Sequence, residues 1–186
     1  MAVNVANDWQ VISNTQANIT QSSSATRLWQ FAATPEIYSS QLVLVAANIK
    51  PPQPSQQTPE LTLYNLSQDS INKPQLLASV TSLINKIALI TASPYPAQQL
   101  NIVVAPAPIN ITPMTPATLM LRPEQLTSPQ LTSILAQQLS QQWFGIKVAD
   151  KPQTKGLTMA SPLILQPLSV EKLTIMTLLA NKQNAY

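Results

Sequence analysis

Only two of the 186 residues are glycine, Gly145 and Gly156, whereas 17 are proline. A chain so composed has almost no residue that enters the left-handed backbone region without steric cost, and its loops are stiffened by fixed φ. Turns needing positive φ must mostly be avoided or built from other residues. A glycine-rich phosphate loop is ruled out, and with it the common nucleotide-binding fingerprints. Hydrophobic residues at 45% suffice for a core, so the chain is expected to fold rather than remain disordered. Its length suits one domain, or one domain with part of another.

Charge is scarce. Lys, Arg, Asp and Glu together make up 9% of the chain, so the polar surface must come from Gln, Asn, Ser and Thr. The net charge of +3 arises from scattered residues without a basic cluster, which argues against nucleic-acid binding. Without cysteine there can be no disulfide, and without histidine the commonest metal ligand and proton shuttle is missing. The stretch Met1 to Asp8 lacks the basic and apolar regions of a signal peptide. No apolar run is long enough for a membrane span. These features lean towards residence in the cytoplasm, without fixing a compartment.

The first part of the chain reads as β. Trp9 to Ser13 and Arg27 to Phe31 alternate, and the continuous apolar run Leu42 to Ala47 predicts a strand buried on both faces. Pro51 to Pro59 reads as an extended linker or long hairpin connection, followed by a strand at Leu61 to Leu66. Leu76, Leu77, Val80, Leu83, Ile84 and Ile87 form one helical stripe, with Pro74 suited to the first turn and Ser93-Pro94-Tyr95-Pro96 ending it. Strands follow at Leu100 to Ala105 and Ala117 to Arg122. Ser128-Pro129 predicts the start of a helix carrying Leu131, Ile134, Leu135, Leu139 and Trp143 on one side. A last helix is expected over 169–182. The expected fold class is α+β, with a mostly antiparallel sheet and about three helices.

Four patches carry a resemblance. Thr34-Pro35-Glu36-Ile37-Tyr38-Ser39 through Ile49, Pro94-Tyr95-Pro96 through Pro106, Met114-Thr115-Pro116, and Gln137 through Gly145 occur in one order. The last ends Gln-Trp-Phe-Gly after glutamines at 137, 138 and 141. In order and spacing these are similar to landmarks of the aminopeptidase N family of zinc metallopeptidases, whose zinc helix reads H-E-x-x-H-Q-W-F-G. The resemblance implies that residues 1–50 correspond to the end of the family's N-terminal β domain. Residues 51–60 would be a linker, and 61–186 part of a thermolysin-like domain.

The resemblance also implies a lost chemistry. Gln137, Gln141 and Ala160 fall on the zinc-ligand positions, Gln138 on the general base, and Thr115 on the glutamate that holds a substrate's α-amino group. A carboxamide is a poor zinc ligand and cannot act as a base. Five replacements converge on one site, so the expectation is a pseudoenzyme with no metal, no cofactor and no catalytic residue. It would serve as a structural or protein-binding module, dependent on a protein partner or a larger parent chain. The alternatives are a remnant that binds peptide or hydrolyses weakly, and a decayed or artificially generated sequence without a selected role. On the plainest reading, Gln137, Gln138 and Gln141 are a solvated polar strip on an amphipathic helix.

Overall fold

The computed structural model describes residues 1–34, 37, 41–67, 69–107 and 115–147, and for 144–147 only the backbone. The chain divides into two compact units. One joins Met1–Ile71 with Ala97–Thr127; the other joins Asn72–Pro96 with the described residues from Ser128 onward. The fold is α+β, with two antiparallel sheets, one parallel sheet and three helices among the described residues.

In the first unit, β1 (Ala2–Ala6), β3 (Ala17–Gln21) and β4 (Thr26–Phe31) form an antiparallel sheet in the order β1-β4-β3. Alternation in β4 turns Trp29 and Phe31 inward, where they stack at 6.4 Å and pack with Val11, Val3, Val5 and Ala17. A second antiparallel pair joins β2 (Gln10–Ser13) to β5 (Leu44–Ala47). The apolar run at 42–47 does not make a strand covered on both faces. Leu44 is 49% exposed, and exposure alternates along β5. Among the described residues the sheet here has two strands and one packed face: Val45 joins the cluster of Ile12, Val103 and Ala105, while Leu44 and Ala46 point away.

The third sheet is parallel, with β6 (Glu60–Asn65), β7 (Gln99–Val104) and β8 (Thr118–Leu121) in that order. Its central strand β7 is apolar and buried from Ile102 to Val104, as expected where both neighbours and both faces are occupied. The proline- and glutamine-rich connection before β6 has no regular structure, yet it is tied down. Ser55 donates its backbone N–H to the Leu61 carbonyl, and its hydroxyl accepts from the Leu61 N–H. Buried Asn14 holds three distant segments together. Its amide donates to the Pro116 carbonyl at 2.8 Å and the Gln41 carbonyl at 3.2 Å, and its oxygen accepts from the Val43 N–H. The short helix α2 (Pro123–Leu126) follows β8 and is capped by Gln125, whose side-chain oxygen accepts from the Arg122 N–H.

The second unit is built on α1 (Lys73–Thr91) and α3 (Leu131–Lys147), which contact each other. Asn72 caps α1 by accepting from the Gln75 N–H, with Pro74 in the first turn, and Leu76, Val80, Ile84 and Ile87 are buried. The helix stops at Ala92, whose φ of 48° is left-handed. Ser93 and Ala92 donate back to the carbonyls of Ala88 and Leu89 in a Schellman arrangement. Helix α3 starts at Leu131, two residues later than the Ser128-Pro129 pair suggests. Ser128 instead closes a turn, accepting from Gln130 through its hydroxyl and from Leu131 through its carbonyl. The helix expected at 169–182 lies outside the described residues.

Candidate functional site

Helix α3 carries the glutamines singled out in the sequence. Leu135, Leu139 and Trp143 recur at intervals of four and are buried, which fixes the rotation of the helix about its axis. Gln137 and Gln141, also four apart, lie one turn above the other on a neighbouring stripe, and Gln138 sits three residues before Gln141. The stripe is not a solvated strip. Gln141 is 8% exposed, and Gln137 and Gln138 are half-buried. Leu135 and Leu139 set the helix rotation, and that rotation carries the glutamines inward with them.

Helix α3 is itself neutral along this stripe. Between Leu131 and Ile146 no residue is ionisable. Ser140 folds its hydroxyl back onto the Gln137 carbonyl at 2.8 Å. At the C-terminal side, Trp143 donates its indole N–H to the Ser93 carbonyl at 3.0 Å and meets the Tyr95 ring edge-on at 5.3 Å. The Tyr95 hydroxyl donates to the Gln142 side-chain oxygen at 3.4 Å, and burial pushes the phenol pKa up. These contacts fasten the turn after α1 to α3. A carboxamide array can donate and accept hydrogen bonds but cannot take up a proton or supply negative charge at neutral pH.

Thr115 belongs to the first unit. It is 3% exposed, and its hydroxyl donates to the Thr118 carbonyl at 2.8 Å while the Thr118 N–H returns to the Thr115 carbonyl, closing a tight turn onto β8. That geometry accounts for Thr115 as a turn residue. Ala160 lies outside the described residues. No group of three His, Cys, Asp or Glu residues placed to hold a metal ion occurs among the described residues.

The sequence did not point to a cleft of about 280 Å³ within the first unit, lined by residues of β2, β4, β6 and β7. Register places Glu60 beside Gln99, Thr62 beside Asn101 and Tyr64 beside Val103. The two-residue repeat of a strand therefore sets Glu60, Thr62 and Tyr64 on one face of β6, with Gln99 and Asn101 on the same face of β7. Asn101 donates its amide to the Ser13 carbonyl at 2.9 Å, joining this face to β2. The Tyr64 phenol pKa is raised, by burial first and by the negative charge of Glu60 second. The signal was present in the alternation Glu60-Leu61-Thr62-Leu63-Tyr64, where a polar set shares a strand with an apolar one.

No protein-family model matches the chain, and no curated protein matches it. The likeness to the aminopeptidase N family therefore rests on the order and spacing of the four sequence patches.

Proposed function

We propose that the chain is a catalytically inactive, aminopeptidase-like domain that acts as a structural or protein-binding module. The observation that carries this reading is α3 itself. It runs unbroken through positions 137–143, presents carboxamides one turn apart, buries Gln141, and has no ionisable side chain before Lys147. In the family the same stretch of helix supplies two zinc-binding imidazoles and a carboxylate base. Zinc-bound water becomes a nucleophile at neutral pH because the cation lowers its pKa, and a nearby carboxylate then takes the proton. Gln137 and Gln141 keep the spacing of the ligands without their donor strength, and Gln138 keeps the shape of the base without its charge.

The partner side of the proposal is supported by composition. A surface drawn from Gln, Asn, Ser and Thr makes directional hydrogen bonds with little long-range field, so recognition depends on close fit to a partner chain or to the rest of a parent protein. The test is metal analysis of the purified chain after incubation with zinc, combined with an aminoacyl-anilide turnover assay. Neither bound zinc nor turnover is expected. Zinc bound in stoichiometric amount, or turnover abolished by a chelator, overturns the proposal.

A further inference from the structure

The first unit contains a cleft that the inactive-peptidase reading does not use, and none of the residues lining it comes from α3. We propose that this cleft binds an alkylammonium group, the chemistry of a lysine side chain or a small aliphatic amine, with Glu60 as its counter-ion.

Strands β6 and β7 pair in parallel. Parallel strands are usually covered on both faces and apolar on both. Here one face is apolar, through Leu61, Leu63, Leu100 and Ile102, and the other carries Glu60, Thr62, Gln99 and Asn101. Thr62 and Asn101 are nevertheless buried and Glu60, Tyr64 and Gln99 half-buried, so this polar face is only partly open to solvent. Glu60 lines the cleft, and among the described residues its carboxylate forms no ion pair. No Lys or Arg is among the lining residues, which leaves the cleft with net negative charge.

The remaining walls select the ligand further. Trp29 and Phe31 contribute stacked aromatic rings and Tyr64 a third, a lining that attracts a cation through the ring quadrupole and also accepts an alkyl stem. Buried Trp29 has an indole N–H without an acceptor among the described residues, and such a donor is costly to leave unmet. An anion is repelled by Glu60, and an uncharged alkyl group leaves the polar strand face unpaired. The volume suits one side chain rather than a larger ligand.

The experiment titrates the full chain with n-pentylammonium, pentanol and pentanoate, following the three indole N–H resonances by NMR, with that of Trp29 assigned by its loss in Trp29→Phe. Pentylammonium is expected to bind saturably in the millimolar range and to move the Trp29 signal while Trp9 and Trp143 stay in place. Pentanol and pentanoate should leave all three unmoved. Glu60→Gln should weaken pentylammonium by about tenfold, the scale of one charge-assisted hydrogen bond. Comparing the three ligands on the unaltered chain needs no variant, so a misfolded Glu60→Gln protein would not block the test. Pentanol binding as tightly as pentylammonium, equal binding by Glu60→Gln, a response confined to Trp143, or no saturable binding overturns the proposal. Zinc binding and anilide turnover are separate readouts, so failure here and failure of the inactive-peptidase reading are distinguishable.

Discussion

Tyr95 shows how a single polar atom couples the packing of α3 to solution conditions. The residue is half-buried, but its phenol oxygen is enclosed beside Gln142, and burial raises its pKa above the ordinary 10.0. The folded chain therefore holds this proton at pH values where the unfolded chain has released it. Below pH 10 the contribution is fully present; as pH climbs past 10 the unfolded state gains by ionising and the folded state does not. Stability should then fall by about 1.4 kcal/mol per pH unit on account of Tyr95. Tyr64 acts in the same direction. Urea unfolding followed by circular dichroism between about pH 8 and about pH 11 should show this decline, and Tyr95→Phe should remove roughly one proton's share of the slope. Lysine deprotonation contributes alike in both proteins, so the difference isolates Tyr95. Little of this was readable in the sequence, where Tyr95 was a turn residue between two prolines. Its partners Gln142 and Trp143 lie some fifty positions further along, at separations of 47 and 48 in number.

Helix α1 was legible nearly in full because each of its signals is local. The apolar stripe, Pro74 in the first turn and the proline-rich exit all sit within a few residues of what they determine. Its C-terminal cap shows the cost of scarce glycine. Ala92 takes a left-handed conformation, φ 48° and ψ 34°, that closes the Schellman hydrogen bonds, although its Cβ disfavours that region. Ala92→Gly should stabilise the fold by about 1 kcal/mol, raising the thermal midpoint by about 2–4 °C. Ala92→Val should lower it, and calorimetry on the two variants checks both signs. The strands were legible unevenly. β4 and β7 have strong patterns of their own, whereas β1 and β3 were missed because Ala2-Val3-Asn4-Val5-Ala6 and Ala17-Asn18-Ile19-Thr20-Gln21 carry few large apolar groups. Both become strands through pairing with the two edges of β4, a nonlocal cause. The glutamine spacing in α3 was likewise plain from the sequence, but the burial of Gln141 depends on tertiary packing.

Across the whole molecule, ionic interactions have little to work with. Only 9% of residues carry charge, and the net charge is +3. Surface ion pairs contribute at most about 1 kcal/mol each and are screened beyond about 8 Å at physiological ionic strength. The described fold is instead held by apolar clusters and by side chains such as Asn14, Ser13 and Asn101, whose hydrogen bonds to backbone carbonyls link segments far apart in sequence. Salt should therefore act weakly on stability. Raising sodium chloride from about 0.05 M to about 0.5 M should shift the thermal midpoint by less than about 2 °C. The same scarcity sets the expectation for polyanions: binding to a phosphate backbone grows with each clustered Lys or Arg that releases counterions, and this sequence has no such cluster. The chain should pass unretained through heparin resin at about 0.15 M salt. A midpoint that moves by many degrees, or retention that needs high salt to reverse, would show that charge organises this molecule after all. The amide-built surface would then not be the one through which partners are recognised.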